Sequence, residues 1–128
     1  MFKLASAALL MSFAIVAPAQ AATEKPFTRA AFLAAQAQGS PILVKVAAWW
    51  CPVCTSQGRT IKKITAAPAY KNLVVFEINY DKQKAEWQQF NAQRQGTLIA
   101  FKGKRETARV NFQTDKAVIA SALDSTLR

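Results

Sequence analysis

The chain reads as a single α/β domain in which helices cover both faces of one central sheet. Three features predict this. Helical and extended patterns alternate in the order α-β-α-β-α-β-β-α. The extended runs Ile42–Ala48 and Leu73–Asn79 are apolar on both faces, as strands are when helices pack on each side of a sheet. A length of 128 residues leaves room for one such domain and none for a second.

Each element has a local reason. After a short polar lead, Thr23-Glu24-Lys25-Pro26, Thr28 caps a helix that runs through Ala31, Phe32 and Ala35 and ends at Gly39. Ser40-Pro41 turns the chain into the strand Ile42–Ala48. A second helix begins near Cys51, where Pro52 suits the first turn because its missing N–H costs nothing there. Ile61 and Ile64 share a face of that helix, which stops before Pro68. The strand Leu73–Asn79 follows. Asp81 is then expected to cap a helix carrying Trp87 and Phe90 into the core, with Gly96 as its terminator. Thr97–Phe101 and Glu106–Phe112 form a hairpin that turns through Lys102-Gly103-Lys104. Ile119, Leu123 and Leu127, spaced i, i+4, i+8, give the last helix its buried stripe. No repeat, low-complexity tract or linker interrupts this order.

The N-terminus carries a targeting pattern. Lys3 supplies a positive start, Leu4–Ala17 is an uncharged run of 14 residues, and Ala19-Gln20-Ala21 is an A-x-A cleavage site. Such a run is short of the roughly 20 residues a spanning helix needs. The expectation is a cleaved signal peptide over 1–21, a single domain over 22–128, and no stable membrane insertion. That domain would keep 16 basic and 7 acidic residues, a net charge of +9. In an exported protein this favours acidic partner surfaces or anionic lipid over nucleic acid. The basic residues are scattered (Lys62-Lys63, Lys102, Lys104-Arg105), the pattern of a soluble, self-repelling surface. Export would place the two cysteines where disulfides persist, with the periplasm as the expected compartment.

The chemistry centres on Trp50-Cys51-Pro52-Val53-Cys54, at a strand-to-helix junction. As a structural staple this bridge is poor, since a loop of four residues is worth only about 1.9 kcal/mol in the chain-entropy account. Reactivity explains it better. A helix starting at Pro52 aims its orphan N–H groups and positive end at Cys51, favouring the thiolate. That thiolate attacks a partner disulfide and Cys54 resolves the mixed disulfide. Metal sites use the same two-residue spacing. With no histidine in the chain, triads and His-centred acid–base schemes are excluded, and no Gly-rich loop supports nucleotide binding.

These residues resemble thioredoxin, whose motif is Trp-Cys-x-x-Cys after a buried strand. The resemblance runs from about Phe27 to the C-terminus and is tightest over Ile42–Cys54 and Gly96–Gly103. It implies a mixed central sheet, with Cys51 as exposed nucleophile and Cys54 as buried resolving thiol. Trp50, Pro52 and Val53 would support the site, and substrate would be held beside Gly96 and Thr97. It implies no cofactor beyond the redox-active disulfide Cys51–Cys54, and no metal. By the same analogy the partners are protein thiols and disulfides of the cell envelope, with a membrane electron-transfer protein as supply.

Three departures from the family qualify this. The family keeps a buried acid in the strand before the cysteines, where this chain has Lys45; the matching place on the neighbouring strand, usually lysine, is Glu77. Two arrangements are open: a partly buried Lys45–Glu77 pair able to ferry a proton to Cys54, or two tips that reach solvent independently. Gly96 stands in place of the family's cis-proline, which is expected to keep the main-chain edge available while removing bulk that screens the sulfurs from metal. The family's helix-kinking proline is replaced by Arg59, beside Gly58.

The expected function is an exported thiol–disulfide oxidoreductase, closer to a reductant or isomerase than to a strong oxidant because Pro52 and Val53 offer the thiolate no charge or hydrogen bond. Two alternatives stay open: a non-catalytic binding module on the same fold, and a dimer bridged by metal or an iron–sulfur cluster through the same cysteines.

Overall fold

The computed structural model describes residues 10–16 and 21–128. The signal-peptide reading falls mostly on residues outside that set; within it, residues 10–16 carry no regular secondary structure. No helix among the described residues is long and apolar enough to cross a membrane.

The sheet has five strands, β1 (Thr23–Pro26), β2 (Pro41–Ala47), β3 (Val74–Asn79), β4 (Thr97–Lys102) and β5 (Arg105–Asn111), in the spatial order β1-β3-β2-β4-β5. β1 and β2 both run parallel to β3, whereas β4 is antiparallel to β2 and β5 to β4. Helices α1 (Arg29–Ala37), α2 (Pro52–Thr65), α3 (Lys84–Gln89) and α4 (Lys116–Ser125) connect and cover the strands, with a short 3-10 turn at Pro68–Tyr70. The mixed sheet with helices on both faces is the expected fold.

Side-chain alternation along β2 builds two core layers. Ile42, Val44 and Val46 pack with Phe32 of α1 and Trp87 of α3, around a cluster of Phe27, Phe76, Phe90 and Phe101. Leu43 faces the other way, joining Ile61 of α2 and Ile119 and Leu123 of α4. Every residue of β2 is buried, so this strand is the middle of the molecule. At the sheet's far end, Tyr70 donates to Asp124 at 2.5 Å, tying the 3-10 turn to α4.

Four expectations need correction. The polar lead is a strand: all four residues of β1 are exposed, the pattern of a charged, proline-ended edge that hydrophobicity does not reveal. Asp81 caps nothing; α3 starts after Gln83, which makes no side-chain cap, and Asp81 is used elsewhere. Gly96 does not end α3, which closes at Phe90 and Asn91 (φ 55°); Gly96 instead introduces β4. Leu127 lies beyond α4 and is 38% exposed, because the helix ends at Ser125 before a third turn of the stripe can form.

Burial of Tyr70, reinforced by the Asp124 carboxylate, pushes its phenol up to about 12. The folded state therefore holds this proton more tightly than the unfolded chain, whose tyrosine ionises near 10. Stability from this group is intact below pH 10 and is lost as pH rises toward 12. Tyrosinate absorbance should show one step near pH 12 that disappears in Tyr70→Phe, and the variant's unfolding free energy should fall less steeply across that window.

Candidate active site

Cys51 is the N-cap of α2, with extended backbone (φ −99°, ψ 107°) and Pro52 in the first helical position. Its sulfur accepts the Cys54 N–H at 3.1 Å, the place a capping oxygen normally takes. Behind it, the Cys51 N–H donates to the Ala48 carbonyl at 3.2 Å, and its own carbonyl accepts from Thr55 N–H and Oγ1. The two cysteines form a disulfide with Cα atoms 5.3 Å apart. Once reduced, a Cys51 thiolate would keep the Cys54 N–H and the positive end of α2. Cys54 is placed differently, its sulfur 4.0 Å from the Val46 carbonyl oxygen.

The expected contrast between an exposed Cys51 and a buried Cys54 is not what the oxidised site has. Cys51 is 2% exposed and Cys54 7%, both packed with Ala47, Ala48, Val53 and Tyr80. What separates them is hydrogen bonding: one sulfur faces a donor and the other an acceptor.

Trp50 is 44% exposed and held from two sides. Its indole N–H donates to the Asp81 carboxylate at 3.0 Å, and its ring meets Tyr80 edge-on at 6.0 Å. Tyr80 stacks on Trp87, whose indole N–H donates to the Tyr80 carbonyl. Asp81 and Tyr80 are site residues that sequence reasoning missed, since only their approach across the β3–α3 connection gives them a role. Trp49, next to it, is 89% exposed.

Lys45 is 7% exposed, on the same side of β2 as α2. Its ammonium pairs with Glu24 Oε1 at 2.8 Å. Neither of the two arrangements left open for Lys45 and Glu77 is found: Glu77 is the register neighbour of Lys45 on β3, but the buried ammonium pairs past it with β1, a strand the sequence did not reveal. A cavity of about 500 Å³ lies between these strands and α2, lined by Lys45, Glu77, Cys54, Gly58, Pro26 and Trp49 among others. Gly58 lies beside the charge, where a Cβ would stand in ordinary contact, 3.7 Å from Lys45 Nζ. The arrangement places a cation, Lys45, and one carboxylate, Glu77, on the cavity that also reaches Cys54.

Gly96 does not present a free main-chain edge, contrary to expectation. With φ 77° it lies in the left-handed region; its N–H donates to the Val46 carbonyl at 2.8 Å, and its carbonyl accepts from Phe112 N–H and Gln57 Nε2, both at 2.9 Å. Thr97 is buried, its hydroxyl donating to the Arg94 carbonyl. Nor is the space of the missing proline open. The Phe112 ring covers Gly96 so closely that a Cβ would come within 2.8 Å of it and 3.4 Å of Val53. Gln57 had a readable signal, a polar residue on the buried face of α2 between Cys54 and Ile61; Phe112 had none.

The family model for thioredoxin matches residues 23–125, and the chain belongs to the thioredoxin family. It is similar to the crystal structure of Trxlp from Edwardsiella tarda, with 42% identity over 79% of this chain and 98% of that one, and a TM-score of 0.75. The thioredoxin of Malassezia sympodialis, 18% identical, superposes with a TM-score of 0.71 over 84% of this chain and 95% of its own. Oxidised thioredoxin O2 from Arabidopsis thaliana, 17% identical, gives 0.67 over 85% and 96%. These last two share the fold. Curated proteins offer no match. With the Cys51–Cys54 disulfide on this fold, the chain is a thiol–disulfide oxidoreductase.

Two variants check the packing of the site. Gly96→Ala should destabilise by roughly 2 kcal/mol or more, from left-handed backbone strain and collision with Phe112, and Phe112→Ala in the same chain should recover part of the loss in urea denaturation. Glu24→Gln should cost about 1 kcal/mol, modest because the Glu24 carboxylate is half exposed. Lys45→Met should be neutral or stabilising, since it removes a buried charge rather than orphaning one.

Proposed function

We propose that this protein is an exported, mildly reducing or isomerising thiol–disulfide oxidoreductase that works on envelope proteins. The observation that carries the reading is the Cys54 N–H donated to Cys51 Sγ at 3.1 Å at the start of α2. This stabilises a Cys51 thiolate with one donor and a helix end, without a charged or hydrogen-bonding side chain from Pro52 or Val53. Export rests on the targeting pattern of residues 1–21 and fits a periplasmic location. Protein thiols and disulfides are then the partners, and a membrane electron-transfer protein the source of reducing equivalents; no organic cofactor is required.

In the reducing direction, the Cys51 thiolate attacks one sulfur of a substrate disulfide, and the other substrate sulfur leaves as a thiolate. Cys54 then attacks Cys51 Sγ, closing the Cys51–Cys54 bond and releasing the second substrate thiol. Two electrons pass to the substrate and two protons end on its thiols. Lys45, on the cavity shared with Cys54, favours the Cys54 thiolate in the second attack, with Glu24 holding its charge in place. A nearby cation also stabilises the reduced form, which raises the potential.

The metal-bridged dimer drew its support from a glycine that leaves the sulfurs unscreened; the Phe112 ring over that glycine favours the exchange reading instead.

Equilibration of the mature protein with glutathione tests the reading. A potential near thioredoxin's own value, about −270 mV, is expected; one near the strong oxidants, about −120 mV, would make the protein a disulfide donor instead. Lys45→Met should lower the potential and slow exchange more at low pH than at high pH. Unchanged values across pH would remove Lys45 from the mechanism.

A further inference from the structure

The backbone of Phe112 lies in the left-handed region (φ 54°), an uncommon place for an aromatic residue and one that must be imposed by its surroundings. Those surroundings are specific. The Phe112 N–H donates to the Gly96 carbonyl at 2.9 Å. The buried Gln57 amide, on α2 one turn beyond Cys54, donates both to that same carbonyl and to the Gln113 carbonyl, at 2.9 Å each, so it clasps the chain on both sides of Phe112. The ring lies against Gly96, where a Cβ would stand 2.8 Å from Phe112 and 3.4 Å from Val53, and Val53 packs against the cluster that contains both cysteines. The Arg94 guanidinium lies 3.4 Å from the ring centroid, an attractive cation–aromatic stack. The ring is thus held by Gly96 and Arg94 while 37% of the residue stays exposed.

We infer that Phe112 is a specificity-determining residue, a fixed wall beside the dithiol that sets how bulky a substrate segment can be when its disulfide reaches Cys51. Gly96 and Phe112 form one steric unit, since only glycine beneath permits the ring above. A disulfide flanked by small residues approaches along this wall, and one flanked by a large side chain collides with it. Discrimination then comes from repulsion, the usual route to selectivity between otherwise equal substrates. The helix that carries the cysteines also carries Gln57, so wall and nucleophile keep a constant spacing. The inference rests on the exchange chemistry and is independent of the direction of electron flow and of export.

The test uses reduced protein and two synthetic disulfide-linked peptides that differ only in having glycine or tryptophan next to each half-cystine. Phe112→Gly suits the local backbone, so folding is retained and is checked by thermal melting. Its ratio of kcat/KM for the tryptophan peptide over the glycine peptide should rise about tenfold over wild type, at an unaltered Cys51–Cys54 potential. Arg94→Gln, which removes the guanidinium from the ring, should shift the ratio in the same direction by less. An unchanged ratio in Phe112→Gly, or an equal factor on both peptides, overturns the assignment. Absence of exchange with either peptide in the wild type would instead overturn the oxidoreductase reading.

Discussion

Three consecutive carbonyls at the end of β2 hold the whole site. Val46 accepts from Gly96, Ala47 from Tyr80 and Ala48 from Cys51, so one strand end fixes the β4 loop, the β3–α3 connection and the start of α2. Because β2 is buried along its length between parallel β3 and antiparallel β4, these carbonyls cannot drift without breaking the middle of the sheet. The sulfur chemistry therefore sits at the end of the fully buried central strand. The reacting groups are preorganised by secondary structure, while Trp50, Tyr80 and Phe112 reach the site from the connections between elements.

The buried cation is the second constraint. An ammonium removed from water must be compensated, and here a carboxylate of the edge strand does so from half-exposed surroundings. The family's usual acid-then-lysine order is reversed in Lys45 and Glu77, yet the charge balance is completed by neither alone. Edge strand β1 contributes little apolar burial; its chemical importance is Glu24.

Around Gly96, two left-handed residues depend on each other. The glycine permits a ring above it, and that ring fills the space a side chain at position 96 would take. A local loss of rigidity is offset by Gln57, Arg94 and Phe112 acting from three different elements.

Much of this was legible in the residues. Apolar runs over Ile42–Ala48 and Leu73–Asn79, the cap at Thr28 and the Pro52 start of α2 are governed by burial and local backbone chemistry, and they fixed the layers and brought the dithiol to a helix N-terminus. The exposed β1, the real work of Asp81 in holding Trp50, the end of α3 and the fate of Leu127 were not legible, because polar strands and irregular connections take their conformation from partners distant in sequence. The same reason explains Lys45. Its burial followed from its place in an apolar strand, whereas its partner required knowing that Glu24 lies one strand beyond Glu77. By itself, then, the sequence determined the fold class, the pair of cysteines and which of them heads the helix, all consequences of short-range patterning. Only the tertiary structure decided which charge meets which, and what covers the glycine, since those contacts join residues tens of positions apart that nothing but the packed sheet brings together.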